Sequence, residues 1–207
     1  MTRDQIAHKV SRNLHDAGVT YYSAYDLNNS IQDAYDEIVV YSECIEKRID
    51  IPYKSNTTYY QVGVELPADY YRVIKILNNE QNRWLSGSSD REQLNYSGDW
   101  ETVNSTAYEF TILGHDRIGL NGRSSNATGT FKLLYKAQAP TLQGDTVLLI
   151  NSSYILLPEL YATADLLEQN QEFTKAQIYW NQYDPMLEKY REKIQVLAKP
   201  DRVFNRT

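Results

Sequence analysis

The chain has 207 residues, 42% of them hydrophobic and 23% charged, with a net charge of −6. That is enough apolar content for a packed core and rules out a disordered chain. No apolar run reaches the roughly 20 residues that span a bilayer, the acidic balance argues against a nucleic-acid-gripping surface, and a single cysteine, Cys44, excludes an internal disulfide.

Met1-Thr2-Arg3-Asp4 starts directly in helix-like sequence and has no signal-peptide apolar core, so secretion is not expected. Without secretion, the Asn-x-Ser/Thr sequences at Asn28, Asn56, Asn95, Asn104, Asn126, Asn151 and Asn205 read as chance in an Asn- and Ser-rich chain. Thr2 and Gln5 have capping-box spacing, and Ile6, Val10, Leu14 and Ala17 follow at helical intervals up to Gly18. Ser23 with Asp26 caps a second helix. Its predicted inner face runs Leu27, Ile31, Ala34/Tyr35, Ile38, Ser42, Ile45 and Ile49, with Pro52 as the stop. The opposite face carries Asp36, Glu43 and Asp50, spaced by seven.

From Thr57 the period changes to two. Residues 58–66 and 70–77 read as strands around a Pro67-Ala68-Asp69 turn. Asn78 to Asn82 is a polar turn, and Trp84-Leu85 resumes a strand. Ser88 to Leu94 reads as a short helical turn and Tyr96 to Thr106 as a loop. Tyr108 to Leu113, a Gly114-His115-Asp116 turn, Arg117 to Leu120, and Thr130 to Lys136 complete the β-rich stretch. Thr146 to Ile150 either leads the next helix or makes a last strand.

Leu157, Leu160, Ala164 and Leu167 predict a third helix with Pro158 in its first turn. After a polar link at 169–172, Phe173, Ala176, Trp180, Tyr183, Leu187, Tyr190, Ile194 and Leu197 alternate steps of three and four, the signature of a long helix with one buried seam. The seam keeps its phase across Pro185, which predicts one bent helix. The fold class is therefore α+β: a helical bundle from 1–52 and 147–199, a β-rich insert at 53–146, and an extended tail at 200–207.

No residue set looks catalytic. His8 and His15 lie about 10 Å apart along a helix axis, too far to share a metal. His115 and Asp116 are explained by a turn, and Cys44 reads as a small buried helical residue. Nucleophile-elbow, dinucleotide and phosphate-loop glycine patterns are absent from the sequence. Asp36/Glu37 and Asp165/Glu168 fall on predicted solvated helix surfaces. No catalytic residue, metal site or cofactor is expected. The 18 tyrosines fit either strand positions or protein interfaces.

Several segments in order have a familiar texture: Val64-Glu65-Leu66-Pro67-Ala68-Asp69-Tyr70-Tyr71-Arg72-Val73; Tyr108 to Gly114 followed by Arg117 to Leu120; Phe131 to Tyr135; and Leu156-Leu157-Pro158-Glu159-Leu160-Tyr161-Ala162-Thr163-Ala164. Their order resembles the head-to-tail adaptor, or connector, proteins of tailed bacteriophages, of the short-tailed-phage type. The departure is Asn121-Gly122-Arg123, which stands where that family has prolines.

The resemblance implies a structural virion protein at the head–tail interface, made in the host cytoplasm. It would form a homo-oligomeric ring of twelve on the portal protein. The ring would meet a tail, nozzle or tail-fibre protein and let packaged dsDNA pass without specific binding, with no membrane contact. On that reading Asp36, Glu43 and Asp50 are candidate channel-lining residues, and Arg202, Val203, Phe204 and Arg206 a portal-docking tail. An alternative is a glycan- or receptor-binding β module using Trp84, Trp100 and Tyr96. A third, an enzyme, would need a deep polar cleft near His115 or another titratable group.

Overall fold

The computed structural model describes residues 1–15, 21–54, 57–88, 107, 109–121 and 129–198. Among them are four α-helices and two four-stranded sheets, an α+β fold. The chain divides into two compact units, one of Met1–Ile45 with the chain from Ala139 onward, the other Glu46–Gln138.

In the helical unit, α1 (Arg3–Asn13) begins with a complete capping box. The Thr2 hydroxyl accepts from the Gln5 N–H at 3.3 Å, and the Gln5 side chain accepts from the Thr2 N–H at 3.0 Å. Ile6 and Val10 are its buried side. The helix stops a turn earlier than its periodicity suggests, because His15 adopts a left-handed φ of 55° that no helical residue takes. Ala17 and Gly18 lie outside the described residues.

Helix α2 (Ala24–Ser42) starts at Ser23, whose hydroxyl accepts from the Asp26 N–H at 3.1 Å. It buries Leu27, Ile31, Ala34, Tyr35, Ile38 and Val39. It does not continue to Pro52. Glu43 turns left-handed at φ 52° and donates its N–H to Val39 O at 2.8 Å, closing the helix, and Glu46–Pro52 becomes strand β1. A spacing of four fits both periods, so Ile45 and Ile49 do not distinguish a helix from a strand. Pairing with strand β8 (Thr130–Ala137) decides it. Ile51, not Ile49, is the deeply buried residue, and Pro52 sits at the end of an edge strand, where its missing N–H costs no ladder bond. Cys44 falls between these elements and is only half-buried, not a helical core residue.

Residues 146–150 form neither helix nor full strand. They make one antiparallel bridge, Thr2 to Val147, and a 3₁₀ turn follows at Ser152–Tyr154. Helix α3 (Leu157–Gln169) carries Pro158 in its first turn and buries Leu157, Leu160, Ala162, Thr163, Ala164, Leu166 and Leu167. Gln171, at φ 60°, turns the chain into α4 (Phe173–Ala198), one continuous helix across Pro185. Its seam is buried at Ala176, Tyr183, Leu187 and Tyr190, while Phe173 and Leu197 at the two ends are exposed.

The β unit has two sheets, ordered β1-β8-β3-β4 and β2-β7-β6-β5. Their remaining strands are β2 (Tyr59–Gln61), β3 (Tyr70–Asn78), β4 (Arg83–Trp84), β5 (Ser86–Ser88), β6 (Glu109–Leu113) and β7 (Arg117–Leu120). The predicted strand at 58–66 shrinks to three residues because Gly63 turns at φ 77°. Glu65 holds that turn: its carboxylate accepts the Gln61 N–H at 3.0 Å and pairs with Lys54 at 2.9 Å. The first of these bonds, then the second, keep its acid below the usual carboxylate range. Asn78, fully buried, accepts from the Glu80 and Gln81 N–H groups and donates to Ala107 O, building the turn before β4. Ser88 ends β5 and does not start a helix; the rest of the 88–94 expectation and the 96–106 loop lie outside the described residues.

Phe131 on β8 is the centre of this unit. Its ring lies 5.3 Å from that of Tyr53 and 5.0 Å from that of Tyr60, the latter edge-on, so it joins both sheets. Phe131→Ala is expected to cost about 3–5 kcal/mol of unfolding free energy, read as a lower urea midpoint. A cost below about 1 kcal/mol would show that this cluster is not the core.

Candidate functional site

Three carboxylates expected on one helical stripe stand on three different pieces of backbone. Asp36 is exposed on α2, Glu43 is the left-handed residue after it, and Asp50 belongs to β1. The spacing of seven is therefore not a helical face. Asp50 is engaged, accepting from Asn79 Nδ2 at 3.1 Å and lying 3.8 Å from Lys132 Nζ. Arg202, Val203, Phe204 and Arg206 lie outside the described residues, as do Tyr96 and Trp100. Trp84 is described, half-exposed, with Lys75 Nζ 5.5 Å from its ring centroid.

What the sequence did not foresee is a convergence of acids across α2 and α3. Asp33 and Glu37 on α2 come close to Asp165 and Tyr161 on α3, where Ser30 donates to Asp165 Oδ2 at 2.7 Å, while Asp36 lies beside Asp33 along α2 and Glu168 follows Asp165 along α3. Neutral donors serve this group. Gln32 reaches Asp36 at 2.9 Å, Tyr183 reaches Glu37 at 3.1 Å, Gln169 reaches Asp165 at 2.9 Å, and the Trp180 indole reaches Glu168 at 2.8 Å. Among the described residues no ion pair reaches any of the five. Burial, then the charges of Asp165 and Asp36, raise the Asp33 acid above its ordinary value. Burial and then the Glu37 charge push the Tyr161 phenol up to about 12. The pairs Asp36/Glu37 and Asp165/Glu168 were visible in sequence as separate surfaces. The available signal was the shared spacing of Ser30, Asp33 and Glu37 on one helix and Tyr161, Asp165 and Glu168 on the other.

The opposite chemistry lies on the sheet. Phe131, Leu133 and Tyr135 point into the core of the β unit, so Lys132, Leu134 and Lys136 occupy the other face of β8. The register sets Asp50, Arg48 and Glu46 of β1 beside them on one side, and Leu77, Lys75 and Arg72 of β3 on the other. Trp84 stands opposite Leu77. Lys136 pairs with Glu46 at 2.7 Å. Arg48 and Lys75, both exposed, make no ion pair among the described residues.

An open cleft of about 480 Å³ near His115 is lined by Tyr59, Leu113, Gly114, Asp116 and Arg117. Its one carboxylate among the described residues, Asp116, lies 3.6 Å from Arg117. Among the described residues no group of three His, Cys, Asp or Glu is placed to hold a metal, and no helix is long and apolar enough to cross a membrane.

The crowding at Asp33 has a measurable consequence. Its folded-state acid is raised, so the folded chain holds a proton more readily than the unfolded one, and stability falls as pH rises through that range. Asp33→Asn is expected to raise Tm at pH 7 and to lose that advantage below about pH 4, where the wild-type carboxylate is protonated in both states. An equal gain at both pH values would show that charge crowding is not the cause.

No curated protein matches the chain. A family model described as SU10 adaptor protein matches residues 1–204. That span takes in every helix and strand described above, with the helical unit at both ends and the sheets between. The chain therefore belongs to the SU10 adaptor protein family, which makes it a structural adaptor of bacteriophages and a virion component.

Proposed function

We propose that this chain is the portal-proximal head-to-tail adaptor of its virion, a ring of twelve copies that joins the portal to the tail and encloses the path of packaged DNA. The observation that carries this reading is the family match across nearly the whole chain. In this reading the ring meets the portal on one side and a tail, nozzle or fibre protein on the other. Its subunits are made in the host cytoplasm, and no cofactor is expected.

The channel passes dsDNA without gripping it. Residues 46–138 hold eleven Lys or Arg and eleven Asp or Glu, so the net charge of −6 falls on the remainder of the chain, which is the helical part. A negative wall repels phosphates and limits sticking. Asp36, Glu43 and Asp50 no longer share the helical stripe that suggested them as that wall, so the proposal rests on this net charge and not on the three together.

The segment from Pro200 to Thr207 is the portal-docking element in this reading, with Phe204 as an aromatic anchor between Arg202 and Arg206 and Val203 beside it. A tagged pull-down from particle-producing cells, with mass spectrometry and negative-stain imaging, tests the whole. Rings containing a portal protein are expected, and a monomer bound to no virion protein would overturn the reading. Deleting residues 201–207 is expected to abolish portal capture while leaving Tm within about 2 °C of the full chain. Undiminished capture would remove the docking role.

A further inference from the structure

We propose that the carboxylate face of α2 and α3 in one copy docks against the outward face of the β1-β8-β3-β4 sheet in the next copy, forming the repeating contact of the assembly. This rests on the ring reading above and names the surfaces that would build it.

Complementarity of charge is the first argument. The surface of α2 and α3 carries Asp33, Asp36, Glu37, Asp165 and Glu168; neutral donors reach the last four, and no ion pair reaches any of the five among the described residues. Burial first, then the charges of Asp165 and Asp36, raise the Asp33 acid, so part of that shift is repulsion between carboxylates. A cationic partner relieves it. The sheet supplies cations: Arg48 and Lys75 point outward without an ion pair among the described residues.

The texture of the sheet face is the second argument, and it selects protein over DNA. Half-buried Leu77 and Leu134 and half-exposed Trp84 form an apolar centre, with Arg48, Lys75 and Lys132 around it. That is the layout of a protein interface, an apolar core within a polar rim in which Arg and Trp recur as anchors. A surface that tracks phosphates needs uninterrupted Lys and Arg. Here Glu46 and Asp50 interrupt the basic residues on the same face. The helical face has aromatic backing of its own: Trp180 and Tyr161 pack edge-on at 5.1 Å beneath Glu168 and Glu37.

Assembly geometry is the third. A ring requires two different patches on each copy, each fitting the other. Two acidic faces repel, and so do two basic ones. A ring pairs the acidic face of each copy with the basic face of the next. This assignment takes Asp36 out of the channel wall and places it in the subunit contact.

The test is a charge swap in the full chain, expressed in particle-producing cells and recovered with its assemblies. Arg48→Glu with Lys75→Glu, and separately Asp33→Lys with Asp36→Lys, are each expected to reduce ring recovery at least about tenfold. Circular dichroism should stay close to wild type and Tm should not fall, since all four residues are exposed and the Asp33 change relieves crowding. Arg48→Gln with Lys75→Gln gives a milder loss if a reversal proves unfolded. Combining both reversals in one chain restores complementarity between copies, so rings are expected to return. Rings from either reversed variant at wild-type yield would overturn the contact while leaving the adaptor reading intact, as would failure of the combined variant to recover them. Unchanged rings with lost dsDNA retention in the Arg48/Lys75 variant would assign the sheet face to nucleic acid instead. A wild-type chain that forms no ring and captures no virion protein would overturn the adaptor reading itself and the contact with it.

Discussion

Helix α3 has almost no free side, and that constraint organises the helical unit. Ala162, Thr163, Ala164 and Leu166 are all fully buried. Alanines let neighbouring helices approach closely, so α1, α2 and α4 all pack against this one element. Every polar group on α3 then has to be satisfied by a neighbouring helix or by its own backbone. Asn13 of α1 donates to Glu159 at 3.1 Å, Ser30 of α2 donates to Asp165, and the Thr163 hydroxyl donates back to Glu159 O at 2.7 Å. The crowding of acids is a by-product of that packing: burying the apolar side of α3 brings Asp165 close to Asp33 of α2.

Tyrosine does the corresponding work at the unit's polar seams. Tyr35, Tyr183 and Tyr190 are buried rings whose hydroxyls still find partners: the Leu149 N–H, Glu37 and the Asn151 N–H. Burial raises the phenol of each. In the β unit Tyr60 does the same beside Phe131, accepting from the Lys54 N–H at 3.2 Å, whereas the buried Tyr53 hydroxyl has no partner among the described residues. Tyr21 and Tyr25, at the start of α2, are strongly exposed. The abundance of tyrosine thus divides between core filling and surface, and it does not mark a site by itself.

The distribution of charge ties these observations to assembly. A neutral β unit with a locally basic sheet face, and a helical part that carries the net −6, gives one chain two unlike surfaces. A protein whose role is to connect other proteins has no need of a catalytic cluster. It needs patches that discriminate between partners, and charge pattern does that at small cost to stability.

Local chemistry let the sequence determine most elements by itself. The capping box at Thr2 and Gln5, the Ser23 cap, Pro158 in a first turn, the Gly114 turn and the unbroken seam of α4 each act within a few residues, so they read directly from spacing. The tertiary structure decided what spacing leaves degenerate. Residues 46–52 fit helix and strand alike until β8 pairs with them, and Gly63 ends a strand that alternation alone would have continued. Residue types on separate helices carry no record of facing one another, so Asp36/Glu37 and Asp165/Glu168 were legible as solvated acids, but the approach of Asp33 to Asp165 was not. Convergence is a property of packing, set by how closely α3 lets α2 approach, and no periodicity along a single helix encodes it.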